Sequence, residues 1–275
     1  MIPAAFEYEV AESTDHAIQL LGQHGDEAKL IAGGHSLLPL MRLRLATPGM
    51  LVDIGRLRDL SYVNDEGDHI AIGALTVHAD VSASDVLKQH CPIVASTALE
   101  IGDPQVRHRG TIGGSIAHGD PASDLPTVLL ALDATFTVRG SGGERTAAAS
   151  DFFKGFFEVD LAPDEMITEI RVPKTSGGWS YQKFHHRAQD WAIVGVAAVQ
   201  TNGSATVALT TMGETPLRAS GVEDALSSGA SIEDAAQRAD ENTSPPSDPF
   251  GSAEYRRALS KVLTGRALEE ALSGR

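Results

Sequence analysis

Cysteine is almost absent from this 275-residue chain, Cys91 being the only one. A single thiol cannot form an internal disulfide, and it cannot hold an iron–sulfur cluster, which takes four thiolates as a rule. Any redox centre carried here must therefore be organic or belong to a partner. Basic charge is also scarce: 22 Lys and Arg stand against 37 Asp and Glu, for a net charge of −15. A surface of that sign repels a phosphate backbone, and with aromatics at 5% there is no basic stripe interleaved with stacking rings. No window approaches the ~18 consecutive apolar residues of a membrane span. The opening MIPAAFEYEVAEST lacks a basic segment followed by an apolar core. The expectation is a cytoplasmic, soluble protein that binds no nucleic acid.

Several catalytic signatures are missing as well. There is no G-x-G-x-x-G after a strand, no GK[ST], no H-E-x-x-H and no G-x-S-x-G elbow. The ten histidines show no metal-ligand spacing, so no metal site is expected.

What is present reads as an ordinary globular chain, 42% hydrophobic and 21% charged. STDHAIQLLGQHG predicts a short helix, with Ser13 or Thr14 as N-cap, an apolar stripe at Ala17, Leu20 and Leu21, and Gly25 as the stop. Residues 29–32 and 51–54 read as strands around a helix-like run, 38–45, which is a βαβ order. From Ile70 onward short strands alternate with short helices, including 84–90 and 93–100, followed by a long Gly-rich connection, 102–121. A helix at 124–132 leads to strands at 134–139, 144–148 and 166–172. Pro163, Pro173 and the SGG at 176–178 mark a boundary between residues 1–175, themselves divided near residue 55, and residues 176–275. Beyond it three strands, 179–185, 192–200 and 204–211, have a hairpin turn at Asn202–Gly203. Helices at 219–228, 231–240 and 252–272 finish the pattern.

Two glycine pairs carry the chemical interest: LIAGGHSLLPL, which opens a helix-like run, and RHRGTIGGSIAHGDPASDLP. Successive N–H groups in a glycine turn can form an anion nest, and a helix N-terminus adds partial positive charge. Each pair alone could be a plain tight turn. Two in one domain could grip both sides of a diphosphate. Ser36 and Ser115 suit hydroxyl donors better than nucleophiles, Asp124 is either a helix cap or a ligand residue, and Trp191 is either strand-end packing or a lid over a flat conjugated ring.

AGGHS at 32–36, TIGGS at 111–115, DPASDLP at 120–126 and KFHHRAQDWAIVGVAA at 183–198 together resemble the FAD-binding medium subunit of the molybdenum hydroxylases, over essentially the whole chain. The flavoproteins of carbon monoxide dehydrogenase and xanthine dehydrogenase are of this type. The resemblance implies an α+β architecture: a vanillyl-alcohol-oxidase-type (PCMH) FAD-binding domain of two α+β subdomains, then a C-terminal domain with a three-stranded antiparallel sheet and helices. It implies FAD as cofactor, its diphosphate held by Ala32, Gly33, Gly34, His35 and Ser36 on one side and by Thr111, Ile112, Gly113, Gly114 and Ser115 on the other. It places Asp124 on the ribityl chain, Ala117 and Ile167 near the flavin or its chain, Lys183 near the isoalloxazine and Trp191 against the ring. On this reading the glycines are there because side chains would fill the space of the phosphates. The implied partners are a molybdopterin-containing large subunit and an iron–sulfur small subunit, as a dimer of heterotrimers. The implied function is electron relay, with no catalytic acid or base in this chain. A self-contained flavin oxidase and a redox-inactive assembly subunit are the alternatives.

Overall fold

A computed structural model describes residues 2–201 and 204–273. The chain begins with a three-stranded parallel sheet, β1 (Glu7–Val10), β2 (Ala28–Ile31) and β3 (Met50–Asp53), in the order β1-β3-β2. The crossovers are helix α1 (Thr14–His24) and the short α2 (Leu37–Arg42). Ser13 is the cap of α1, its hydroxyl accepting the His16 N–H at 3.1 Å, and Gly25 ends the helix at φ +53°. Ala17, Ile18, Leu20 and Leu21 bury the stripe against the sheet. β1 is the strand that the sequence pattern does not show. Its residues EYEV carry two carboxylates and stay largely exposed at a sheet edge.

Five antiparallel strands form the second sheet, in the order β4-β5-β10-β6-β7: β4 (Val63–Asp65), β5 (His69–Gly73), β6 (Thr135–Gly140), β7 (Gly143–Ala148) and, after the small hairpin β8 (Phe153–Gly155) and β9 (Glu158–Val159), β10 (Met166–Pro173). Between β5 and β6 lie α3 (His78–Ala83), α4 (Asp85–His90), α5 (Pro92–Leu99), α6 (Pro104–Arg107), α7 (Ile112–His118) and α8 (Asp124–Ala131), and α9 (Ala149–Phe152) follows β7. The connection expected over 102–121 is thus partly helical. Asp103 caps α6 by accepting from the Val106 N–H at 2.9 Å, and Thr111 caps α7 by accepting from the Gly114 N–H at 3.1 Å. A cap satisfies an otherwise orphaned donor, which lets a glycine-bearing segment hold a helical turn.

The C-terminal sheet is antiparallel with four strands, not three: β11 (Trp179–Phe184), β12 (Val194–Thr201), β13 (Ser204–Thr210) and the two-residue β14 (Leu217–Arg218). β14 is too short to show a period of two. The expected turn at Asn202–Gly203 lies outside the described residues. Helices α10 (Ser220–Ser227), α11 (Ile232–Ala236) and α12 (Ala253–Leu272) cover one face. The other face rests on α8, whose eight residues are all buried. Thr206 Oγ1 donates to the Ala131 carbonyl at 2.7 Å and Thr210 Oγ1 to Thr127 Oγ1 at 2.8 Å, so the two halves of the chain share one core across this helix.

Candidate functional site

A cleft of about 710 Å³ runs between the parallel sheet, the α7 region and the edge of the C-terminal sheet. That volume lies within the ~300–1,000 Å³ of small-molecule sites. Ala32, Gly33, Gly34, His35, Ser36, Thr111, Gly113, Gly114, Ser115, Ala117, Asp124, Ile167, Lys183 and Trp191 all line it. Ile112 does not: its side chain is fully enclosed in the core between the five-stranded sheet and α8, and its N–H is spent on the Thr76 carbonyl at 3.0 Å.

The two glycine segments differ in what they offer. Among the described residues no acceptor takes the N–H groups of Gly33, Gly34, His35 or Ser36, and the Ser36 hydroxyl makes no cap bond. Gly34 stands at φ +75°, a left-handed conformation that turns this run of donors into a concave cradle. In the second segment four of the five N–H groups are already used within the chain: Ile112 N–H to Thr76, Gly113 N–H to Ala74 at 2.9 Å, Gly114 N–H to the Thr111 hydroxyl and Ser115 N–H to the Thr111 carbonyl at 3.1 Å. What that side has left for an anion, among the described residues, is the Thr111 N–H and the hydroxyls of Thr111 and Ser115.

The glycines are also needed for different reasons, which corrects the expectation that phosphates alone require them. A Cβ on Gly33 would land on the Arg109 carbonyl, 2.7 Å from its carbon and 2.8 Å from Gly110 Cα. One on Gly113 would lie 2.6 Å from both Cβ and O of Ala74. These two glycines make room for the chain's own backbone. Gly114 is the exception, since its Cβ would meet only the Thr111 hydroxyl, at 2.8 Å, and otherwise open space.

Asp124 and Lys183 come together where β11 meets α8. The Lys183 ammonium donates to Asp124 Oδ2 at 2.9 Å and to the Glu100 carbonyl at 2.8 Å, and the Tyr181 hydroxyl donates to Asp124 Oδ1 at 2.6 Å. Both charged side chains are 4% exposed. Burial raises the Asp124 carboxyl above its usual range although Lys183 and Tyr181 pull it down. Burial, then the Asp124 charge, push the Tyr181 phenol well above its ordinary value. Asp124 is not a cap, for its side chain makes no bond to the start of α8, and each of its oxygens already accepts one bond from within the chain. Tyr181 escaped sequence reasoning, although the alternation of strand side chains puts it on the same face as Lys183.

At the mouth of the cleft Trp191 is 56% exposed, and no aromatic neighbour stacks on it among the described residues. Phe157, at the tip of the β8–β9 hairpin with φ +57°, packs against His118 with ring centres 4.9 Å apart, and both line the cleft. His78 lines it too, and no motif pointed to it. No helix among the described residues is long and apolar enough to cross a membrane, and no group of three His, Cys, Asp or Glu among them could hold a metal.

Parallel and antiparallel α+β units with a glycine-lined cleft between them define a nucleotide-cofactor protein, and comparison with known proteins gives the class. Residues 4–175 match the FAD binding domain in molybdopterin dehydrogenase, and residues 179–271 match the CO dehydrogenase flavoprotein C-terminal domain. The chain belongs to this family: it is a medium, FAD-binding oxidoreductase subunit of the molybdenum hydroxylase type. It is 42% identical to the carbon monoxide dehydrogenase medium chain of Hydrogenophaga pseudoflava, with 98% of each chain covered. It is 39% identical to the 6-hydroxypseudooxynicotine dehydrogenase complex subunit alpha of Paenarthrobacter nicotinovorans, over 99% of this chain and 96% of that one. Among solved structures, carbon monoxide dehydrogenase from H. pseudoflava lacking the Mo-pyranopterin moiety superimposes with a TM-score of 0.94 at 42% identity, again over 98% of each chain. The cleft suits the cofactor of the family, since one wall carries unspent N–H donors for phosphate oxygens and the other the hydroxyls of Thr111 and Ser115, with apolar surface from Ala117 and Ile167 in the same lining.

Proposed function

We propose that this chain is the electron relay of a three-subunit molybdenum hydroxylase. Substrate is oxidised at molybdenum in a large subunit, electrons cross the iron–sulfur clusters of a small subunit, and they leave through this chain to an external acceptor. FAD supplies the exchange between one- and two-electron steps. The chain supplies the hold: the Gly33–Ser36 N–H groups and the Ser115 hydroxyl donate to the diphosphate, Ala117 and Ile167 give apolar surface, and Lys183, fixed by Asp124 and Glu100, keeps a cation at the inner wall. Trp191 closes on the ring from the mouth. The assembly is a dimer of such heterotrimers in the cytoplasm, and residues 1–175 and 176–275 are its FAD-binding and C-terminal domains.

The observation that carries the relay reading over a self-contained oxidase is the state of the carboxylates in the cleft. An oxidase needs a free proton acceptor facing the flavin. Asp124, the one carboxylate buried in the cleft wall, is committed to Lys183 and Tyr181; of the others, Glu165 pairs with Arg145 at 2.7 Å, Asp190 accepts from the Arg187 N–H at 3.1 Å, and Glu158 is exposed on the β8–β9 hairpin. The relatives, a medium chain and a complex subunit by name, agree with a part in a larger assembly. The chain is expressed alone and with its genomic neighbours, and dye reduction is followed with candidate aldehydes, N-heterocycles and carbon monoxide. Turnover confined to the assembled complex is expected. Substrate-dependent flavin reduction by the chain alone overturns the relay.

A further inference from the structure

His78 is buried against the cleft with a relation to Ser115 that no motif foretold. The residue is 2% exposed at the start of α3, and its backbone N–H donates to the Gly110 carbonyl at 2.9 Å. Gly110 leaves space for the ring: a Cβ there would lie 3.0 Å from His78 Cδ2 and 3.3 Å from Nε2. In this slot Nε2 stands 3.2 Å from Ser115 Oγ, and Nδ1 is enclosed with no hydrogen-bond partner among the described residues.

The imidazole is neutral at physiological pH. Burial above all, then the nearby Arg107 and His35 charges, lower its pKa to about 4. A neutral ring has two tautomers, and the surroundings discriminate between them. With the proton on Nδ1, a buried N–H donor is orphaned, the rarest and costliest kind of unpaired group; with it on Nε2, Nδ1 is only an unused acceptor, which folded proteins tolerate better. The Nε2–H tautomer therefore prevails. It donates to Ser115 Oγ, so the serine's own hydrogen is free to point elsewhere. This matters because Ser115 carries one of the few donors that the second glycine segment has left among the described residues, beside the N–H and hydroxyl of Thr111.

We propose that His78 is a positioning residue for the cofactor: its Nε2–H holds Ser115 Oγ as an acceptor and turns the serine hydroxyl hydrogen toward an anionic oxygen of the FAD diphosphate. The assignment rests on the FAD reading of the cleft. His78 touches no cofactor atom itself and acts through Ser115.

The full-length chain is stripped of flavin and titrated with FAD by fluorescence. Variants are His78→Phe, His78→Gln, Ser115→Ala and the His78→Phe/Ser115→Ala pair, and the melting of each apoprotein is recorded. Losing a hydrogen bond to a charged oxygen costs about tenfold in affinity. His78→Phe and Ser115→Ala are each expected to show that loss, and the double variant no more than Ser115→Ala alone. His78→Gln, which keeps a donor, recovers most of it. The apo melting temperature of His78→Phe equals or exceeds that of the parent, because an orphaned nitrogen is gone. Nitrogen-15 spectra of histidine-labelled protein place the proton on Nε2. Parental FAD affinity in His78→Phe, multiplying effects in the double variant, or a proton on Nδ1 overturns the assignment and leaves the cleft reading standing. A parent apoprotein that takes up no FAD overturns the cleft reading itself.

Discussion

Lys183→Met tests the buried junction between the two halves of the chain. Removing one partner of a buried ion pair leaves the other uncompensated, at about 3–5 kcal/mol. Here the penalty has a ceiling, because Asp124 can take up a proton instead. Starting from the ordinary value of 3.8, protonation at pH 7 costs about 4 kcal/mol at 1.36 kcal/mol per unit. Tyr181 keeps one bond to the carboxyl, so the expected loss at pH 7 is about 3 kcal/mol. The pH dependence identifies the cause. A carboxyl whose pKa is raised in the folded state favours folding fully below the unfolded pKa and loses that contribution as pH rises through the folded one. Lys183→Met pushes the folded pKa of Asp124 further up, so the deficit against the parent grows as pH rises above the parent's already raised folded pKa, at up to ~1.4 kcal/mol per unit. Urea unfolding of the apoprotein, followed by far-UV circular dichroism, measures it. Adding Asp124→Asn removes the titrating group, abolishes the slope and restores most of the stability at pH 7. A loss below about 1 kcal/mol that does not change with pH would refute the reasoning, since it would mean that no buried charge had been uncovered.

The glycines divide in a way that two substitutions separate. Gly33→Ala drives a methyl into the Arg109–Gly110 backbone and lowers apoprotein stability by about 1–3 kcal/mol or more, together with FAD binding. Gly114→Val displaces only the Thr111 cap, about 1 kcal/mol offset in part by better helix propensity, so the apoprotein melts near the parent while FAD affinity falls at least tenfold. Equal melting losses in both would contradict the division. Trp191→Ala, at an exposed position without a stacked neighbour, changes stability by no more than about 0.5 kcal/mol. It weakens FAD binding by two- to tenfold, the worth of a ring contact of about 0.5–1.5 kcal/mol, and changes flavin fluorescence. A melting temperature several degrees lower with unchanged fluorescence would make the indole core packing.

Sequence alone determined the elements whose signal is local: α1 with its Ser cap and Gly stop, the strands that became β6, β7 and β10 to β13, and the long closing helix α12. It also marked the two glycine segments, because a run of residues without side chains is visible wherever it folds, and the order of four motifs was enough to place the family. The short elements were not legible: β14 has two residues, α6 four, and α7 is a glycine-bearing turn held by one threonine hydroxyl. Tertiary structure alone decided what the site residues do. The oxygens of Asp124 are claimed by side chains 57 and 59 positions away, and Ser115 meets a histidine 37 positions before it. Whether a glycine makes room for a ligand or for the chain's own carbonyls depends on which backbone passes within 3 Å, as Arg109 does at Gly33 and Ala74 at Gly113. Periodicity and capping report forces between neighbours in sequence. The commitment of a carboxylate, a hydroxyl or an N–H group depends on partners that only the folded chain brings within hydrogen-bonding distance.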